Sequence, residues 1–275
     1  MTEPGDPREQ AARWVELWRT LGAREIARLV RPAPAPPAEP PGAGTRPATA
    51  PEPVQRPLVV PGFEAEPADR EAIEALVGLD DPAEALARLE REVIGDCRRC
   101  RLHEKRRNVV FGVGDPRARL MFVGEGPGAD EDRLGEPFVG RAGQLLDRIL
   151  AAMGLDRRGG GVYIANVVKC RPPDNRDPLP DEQGACLPFL AAQIAIIRPE
   201  VLVALGRVAL LALTGGGVSS LGRVRGRWLD WNGIPLMATY HPAYLLRNPA
   251  GKRAVWADMQ EVLRKLGLEP PGKGT

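Results

Sequence analysis

The chain is poor in the residues that most often carry chemistry. Its 275 residues include two histidines, four cysteines and few aromatics, 5% in all. No run approaches the roughly 18 apolar residues that a membrane span needs. The first ten residues, "MTEPGDPREQ", are acidic and polar, unlike a secretory signal, so a cytoplasmic protein is expected. In such a reducing compartment four cysteines read as metal ligands or buried thiols rather than disulfides. Charge of one sign is also lacking, with a net of only +2. What basic character there is clusters. Six of the ten residues from Arg98 to Arg107 are Lys or Arg, and further cations stand at Lys169, Arg171, Arg223, Arg225, Arg227, Arg247, Lys252 and Arg253. Runs of this kind beside loops suggest a face for a polyanion.

Three regions differ in texture. Within residues 1–31, Trp14, Leu17, Trp18, Leu21, Ile26 and Leu29 have the spacing of an amphipathic helix, whose two tryptophans call for a protein partner or a dock on the main domain. Residues 32–67 form a linker. Eleven of the 29 prolines fall between positions 32 and 61, a composition that cannot build a core. Residues 68–270 are the globular part. Its first helices break near "GLDDP", where Asp81 precedes Pro82. Four apolar runs follow, "RLMFVG", "VYIANVV", "VLVALG" and "IPLMATY", alternating with helical segments such as "GQLLDRILAAMG". This alternation predicts a three-layer α/β/α sandwich around a mainly parallel, four-stranded sheet. Ligands of such sheets sit beyond the carboxyl ends of the strands. There the sequence places "GEGPG" (Gly124–Gly128), "KCRPPDN" and "HPAYLLRNP".

The cysteines form a C-x2-C pair, Cys97 and Cys100, and a wide pair, Cys170 and Cys186, with 15 residues between. The second spacing is too wide for a zinc knuckle. Four thiolates from distant segments suit zinc or an iron–sulfur cluster.

Taken together, "GEGPGADEDRLGEPFVGRAGQLL", "NVVKCRPPDNRDP", the cysteine frame and "YHPAYLLRNP" resemble the family 4 uracil-DNA glycosylases, over about residues 88–268. The resemblance implies a base-excision enzyme that flips uracil out of single- or double-stranded DNA and hydrolyses its N-glycosidic bond. It also implies a [4Fe–4S] cluster on Cys97, Cys100, Cys170 and Cys186, and a monomer. Phe138 would stack on the base and Asn166 would read its edge. His241 would donate to uracil O2 as negative charge develops. Glu125, Gly126, Pro127 and Gly128 would line the pocket. Family 1 enzymes carry a water-positioning Asp where this chain has Gly126, so the water's helper is sought elsewhere. Glu131 is the candidate, with Asp130 and Asp132 as alternatives. Tyr244, Leu245, Leu246, Arg247 and Lys169 are expected on DNA, one of the two leucines buried and the other probing the stack. A related branch that cross-links to DNA through an added His does not fit, because "CRPPDNRDP" contains none. The rival reading from another class is a non-catalytic iron–sulfur DNA-binding module associated with repair or replication proteins.

Overall fold

The computed structural model describes residues 67–270 except residue 219. The expected amphipathic helix over 1–31 and nearly all of the expected linker lie outside the described residues.

Two helices open the described part, α1 (Pro67–Val77) and α2 (Pro82–Arg88). They break where the sequence signals it. Asp81 accepts from the Ala83 N–H and Pro82 takes the first helical position, where a missing N–H costs nothing. A π-helical turn, Leu89–Ile94, follows α2 and ends at Gly95.

Six strands form one sheet: β1 (Val113–Gly114), β2 (Leu120–Gly124), β3 (Val162–Asn166), β4 (Val201–Leu205), β5 (Trp228–Trp231) and β6 (Ile234–Thr239). Their order is β1-β3-β2-β4-β6-β5. The four expected strands, β3, β2, β4 and β6, run parallel in the centre. The expected count of four is corrected to six, because β1 and β5 add an antiparallel edge on each side.

The central strands are buried on both faces, and their side chains alternate between two cores as the strand period of two requires. Met121, Val123, Ala165, Leu202 and Ala204 enter one core. Leu120, Phe122, Ile164, Val201 and Val203 enter the other. The first core is covered by α1, α2, α5 (Pro180–Ile197) and α6 (Arg207–Thr214). The second lies under α4 (Arg141–Ala152) and α9 (Lys252–Lys265), where Val255, Met259, Val262 and Leu263 repeat at helical spacing. Three short helices complete the set: α3 (Ala129–Leu134), α7 (Leu221–Val224) and α8 (Pro242–Arg247). The result is the expected three-layer α/β/α arrangement. All four parallel strands end at one edge, where the loops after β2, β3 and β6 meet.

Candidate active site

Gly124 ends β2 directly opposite Asn166, the last residue of β3. A Cβ at position 124 would lie 2.4 Å from Asn166 Oδ1 and 2.5 Å from Phe138 Cζ. Glycine is therefore needed here for a close approach: the amide and the phenyl ring meet over the space a side chain would fill. Asn166 is 2% exposed, and its Oδ1 has no partner among the described residues. A buried acceptor without a donor costs about 1–3 kcal/mol. A ligand that brought an N–H would supply the missing partner.

Phe138 is held in the left-handed region, with φ of 56°, where a residue with a side chain is strained. The sequence predicts a tightly bent, exposed loop. The loop is tightly bent, but the ring is only 5% exposed and packs with Leu145, Leu146 and Leu245. Gly143 permits this, since a Cβ there would overlap the Phe138 carbonyl. The Phe138 ring centroid lies 5.5 Å from that of His241, tilted by 31°.

His241 follows β6 and caps α8. Its Nδ1 accepts from the Ala243 N–H at 3.1 Å. A neutral ring whose Nδ1 accepts must carry its proton on Nε2, so the free nitrogen is a donor. The ring is held neutral. Burial pushes its pKa down to about 4, the nearby Arg247 acts in the same direction, and Glu131 opposes.

The acids divide by environment. Asp130 is exposed and pairs with Arg133 at 3.2 Å. Asp132 is buried and accepts from the backbone N–H groups of Arg107 and Asn108. Glu131 is the one that stands at the pocket. Its Oε1 accepts from Val139 and Gly140, both at 2.9 Å, and its Oε2 accepts from Gly128 at 3.1 Å. The carboxylate thus ties the glycine turn to the Phe138 loop, and most of its capacity is used in doing so. Glu125 is half-buried. Burial, and next the charge of Asp177, push its pKa up to about 7 against the pull of Arg207. Arg207 in turn pairs with Asp177 at 2.7 Å. The turn itself is pinned by Val167 N–H to the Gly124 carbonyl and Val168 N–H to the Glu125 carbonyl. Gly126 packs on Val168 and Pro127 is buried.

On α8 the two leucines separate as expected. Leu245 is 1% exposed and Leu246 is 36% exposed. Tyr244 is exposed beside it, its ring 4.9 Å from that of Tyr240, and Arg247 is exposed. Lys169 is a correction. Expected on DNA, it is 1% exposed, and its Nζ donates to the Asn166 carbonyl at 2.9 Å and to Gln193 Oε1 at 2.6 Å. A side chain enclosed under α5 does not reach a phosphate. It braces the main chain of Asn166 instead.

A model of the uracil DNA glycosylase superfamily matches residues 111–260. A type-4 uracil-DNA glycosylase of Thermotoga maritima is 49% identical over 181 residues, which cover 65% of this chain and 93% of that protein. One from Pyrobaculum aerophilum is 47% identical over 166 residues, covering 58% of this chain and 84% of the relative. One from Archaeoglobus fulgidus is 42% identical over 195 residues, covering 68% of this chain and 96% of the relative. The chain belongs to the type-4 uracil-DNA glycosylases.

In this family member the four cysteines are free thiols gathered against one hydrophobic cluster, Cys170 and Cys186 buried, Cys97 and Cys100 half-buried. Among the described residues they do not close into a metal-holding group. Three sulfurs accept N–H bonds: Cys97 from Arg99 at 3.3 Å, Cys170 from Arg106 at 3.5 Å, and Cys186 from the Lys169 backbone at 3.4 Å. Donors and cations turned toward sulfur are the surroundings that anionic thiolate ligands require, so the donor set fits a thiolate-bound cluster. Two of the six cations between Arg98 and Arg107, read from the sequence as part of a face for a polyanion, are engaged within the fold. Arg99 pairs with Asp69 and Arg106 with Asp96, and both face the thiols.

Arg157 belongs to no motif of the sequence. Its guanidinium is buried and donates to the carbonyls of Pro137 and Phe138. In "GLDRRGGG" it reads as one of two cations in a solvated turn, and nothing local distinguishes it from Arg158.

Proposed function

We propose that the chain removes uracil from DNA by hydrolysing its N-glycosidic bond, leaving an abasic site. The observation that carries this reading is the unpartnered Asn166 Oδ1, buried beside the Phe138 ring and a neutral His241 whose Nε2 carries the proton. A flipped uracil offers the complementary groups: N3–H for Oδ1, a flat face for Phe138, and O2 for the Nε2–H. As the bond from C1′ to N1 breaks, charge accumulates on the uracil oxygens. A donor aimed at O2 then stabilises the transition state more than the bound substrate, by about 10²–10³ in rate. Water supplies the oxygen that bonds to C1′, and uracil leaves with the bonding pair and is then protonated. Glu131 holds the turn beside that water and has room for a further donor. Glu125, Gly126, Pro127 and Gly128 close the wall around the base.

Leu246 serves as the wedge that fills the vacated stack, with Tyr244 and Arg247 at the DNA backbone, while Leu245 anchors their helix. Cys97, Cys100, Cys170 and Cys186 hold a [4Fe–4S] cluster, whose iron–thiolate bonds would tie the segment before β1 to the loop after β3 and to α5. A monomer in the cytoplasm, with the N-terminal region reserved for a protein partner, completes the reading. Among the described residues no helix is long and apolar enough to cross a membrane.

The test is base release from oligonucleotides carrying one uracil, thymine or cytosine, together with the iron content of the purified protein. Free uracil from the first substrate alone, with about four irons per chain, is expected. Iron-loaded protein that binds DNA and releases nothing would leave the non-catalytic module as the function.

A further inference from the structure

The strained conformation of Phe138 needs an explanation that the base pocket does not supply. Its φ of 56° puts Phe138 in the left-handed region one residue after Pro137, and the carbonyls of both lie within reach of one side chain. Arg157 meets them with one planar fork. Nη1 donates to the Pro137 carbonyl at 2.8 Å and Nη2 to the Phe138 carbonyl at 2.9 Å. The fork is fixed from behind by Asp147 on α4, which accepts from Nε at 2.8 Å, and Glu136 lies 3.6 Å away. The side chain of Arg157 is 7% exposed. On the opposite side Glu131 accepts the next two N–H groups, of Val139 and Gly140. The loop is therefore gripped by its carbonyls through a buried cation and by its N–H groups through a carboxylate. Neither a lysine nor a neutral side chain would reproduce the two-carbonyl geometry.

We propose that Arg157 is a positioning residue for base excision: its guanidinium holds Phe138 in the left-handed conformation that sets the phenyl ring between Gly124, Asn166 and His241. Arg157 touches neither base nor sugar and acts through Phe138. The proposal rests on the reading of Phe138 as the platform for the base.

Arg157→Lys keeps the charge beside Asp147 and removes the fork. Single-turnover uracil excision and DNA affinity are measured for the full-length wild type, Arg157→Lys, Phe138→Ala and the double variant. A positioning role predicts an excision rate lowered by about tenfold or more with affinity unchanged, because small misplacements of a binding surface are costly in rate. In the Phe138→Ala background the same change is expected to cost less than about twofold, since the two residues act as one unit. An unchanged rate in Arg157→Lys, or an equal loss in both backgrounds, would overturn the proposal. Amide hydrogen exchange gives a readout independent of activity. Residues 138–140 are expected to exchange faster in Arg157→Lys while those of β2 keep wild-type rates. Unchanged exchange at 138–140 would overturn the proposal even in a protein that releases no uracil, whereas a wild type that releases no uracil, together with faster exchange in Arg157→Lys, would fail only the functional reading. Should Arg157→Lys not fold, Asp147→Asn, which removes the carboxylate behind the fork, carries the same measurements.

Discussion

His241→Ala tests the protonation logic of the pocket. In the folded chain the imidazole is held at a pKa of about 4, against an ordinary value near 6.5. At pH 7, three units above that pKa, about one molecule in a thousand then carries a charged ring. The neutral ring with its proton on Nε2 is thus the working form across the physiological range, and His241 contributes no titration limb between pH 6 and 8. Removing it deletes one donor to O2, which costs about 10²–10³ in rate, or roughly 3–4 kcal/mol. Glu125 behaves oppositely. Burial raises its pKa to about 7, so it loses its proton as the pH passes neutrality. With uracil bound as proposed, the new negative charge would stand beside the base on which negative charge must develop, and excision is expected to slow as the pH rises through about 7. The assay is single-turnover release from a uracil oligonucleotide between pH 5 and 9. The wild type is expected to show a limb near 7 that persists in His241→Ala at a lower plateau and disappears in Glu125→Gln. A limb near 6.5 that vanishes with His241 would refute the reasoning, because the ring would then be titrating as an ordinary imidazole.

Three further outcomes follow from the same geometry. Gly124→Ala puts a methyl group within 2.5 Å of Asn166 Oδ1 and Phe138 Cζ, so excision is expected to fall at least about a hundredfold with DNA affinity retained; a rate within twofold of wild type in the same assay would show that the two side chains do not meet there. Leu245→Ala is expected to lower unfolding stability by about 2–5 kcal/mol in urea titrations, whereas Leu246→Ala should leave stability within about 0.5 kcal/mol and slow excision more from double- than from single-stranded DNA. For pH and stability the sign is set by the depressed pKa of His241: its contribution is present above pH 6.5, where both states are neutral, and is lost as the pH falls through about 4. That loss is bounded by about 3 kcal/mol, and the shift of the urea midpoint between pH 7 and pH 4 should be smaller in His241→Asn.

The central strands could be read from the chain because each is an unbroken apolar run, as a sheet buried on both faces demands. The edges could not. β1 is two residues long, and β5, "WLDW", mixes an exposed Asp230 with a half-buried Trp228 and a buried Trp231, so neither carries a period. Phe138, Asn166 and His241 were legible because their motifs fall at strand ends, and the structure brings all three together. Lys169 is misleading in the sequence, since a lysine beside a cysteine looks like surface charge, yet α5 closes over it. Glu131 was found among three adjacent acids, yet its work as a clamp on three backbone N–H groups depends on a turn conformation that residue types do not encode. Arg157 left no signal at all. The groups it grips in the loop are carbonyls, which every residue possesses, and the Asp147 behind it stands ten residues back in the chain.

The most direct test of the account is the single-turnover rate of uracil release by Asn166→Ala, measured beside its affinity for the same oligonucleotide. Loss of about 10²-fold or more in rate, with DNA affinity and folding unchanged, is predicted if the unpartnered buried amide reads the flipped base. A variant that releases uracil at the wild-type rate would contradict the account, because the base would then be recognised somewhere other than the space between Phe138, Asn166 and His241.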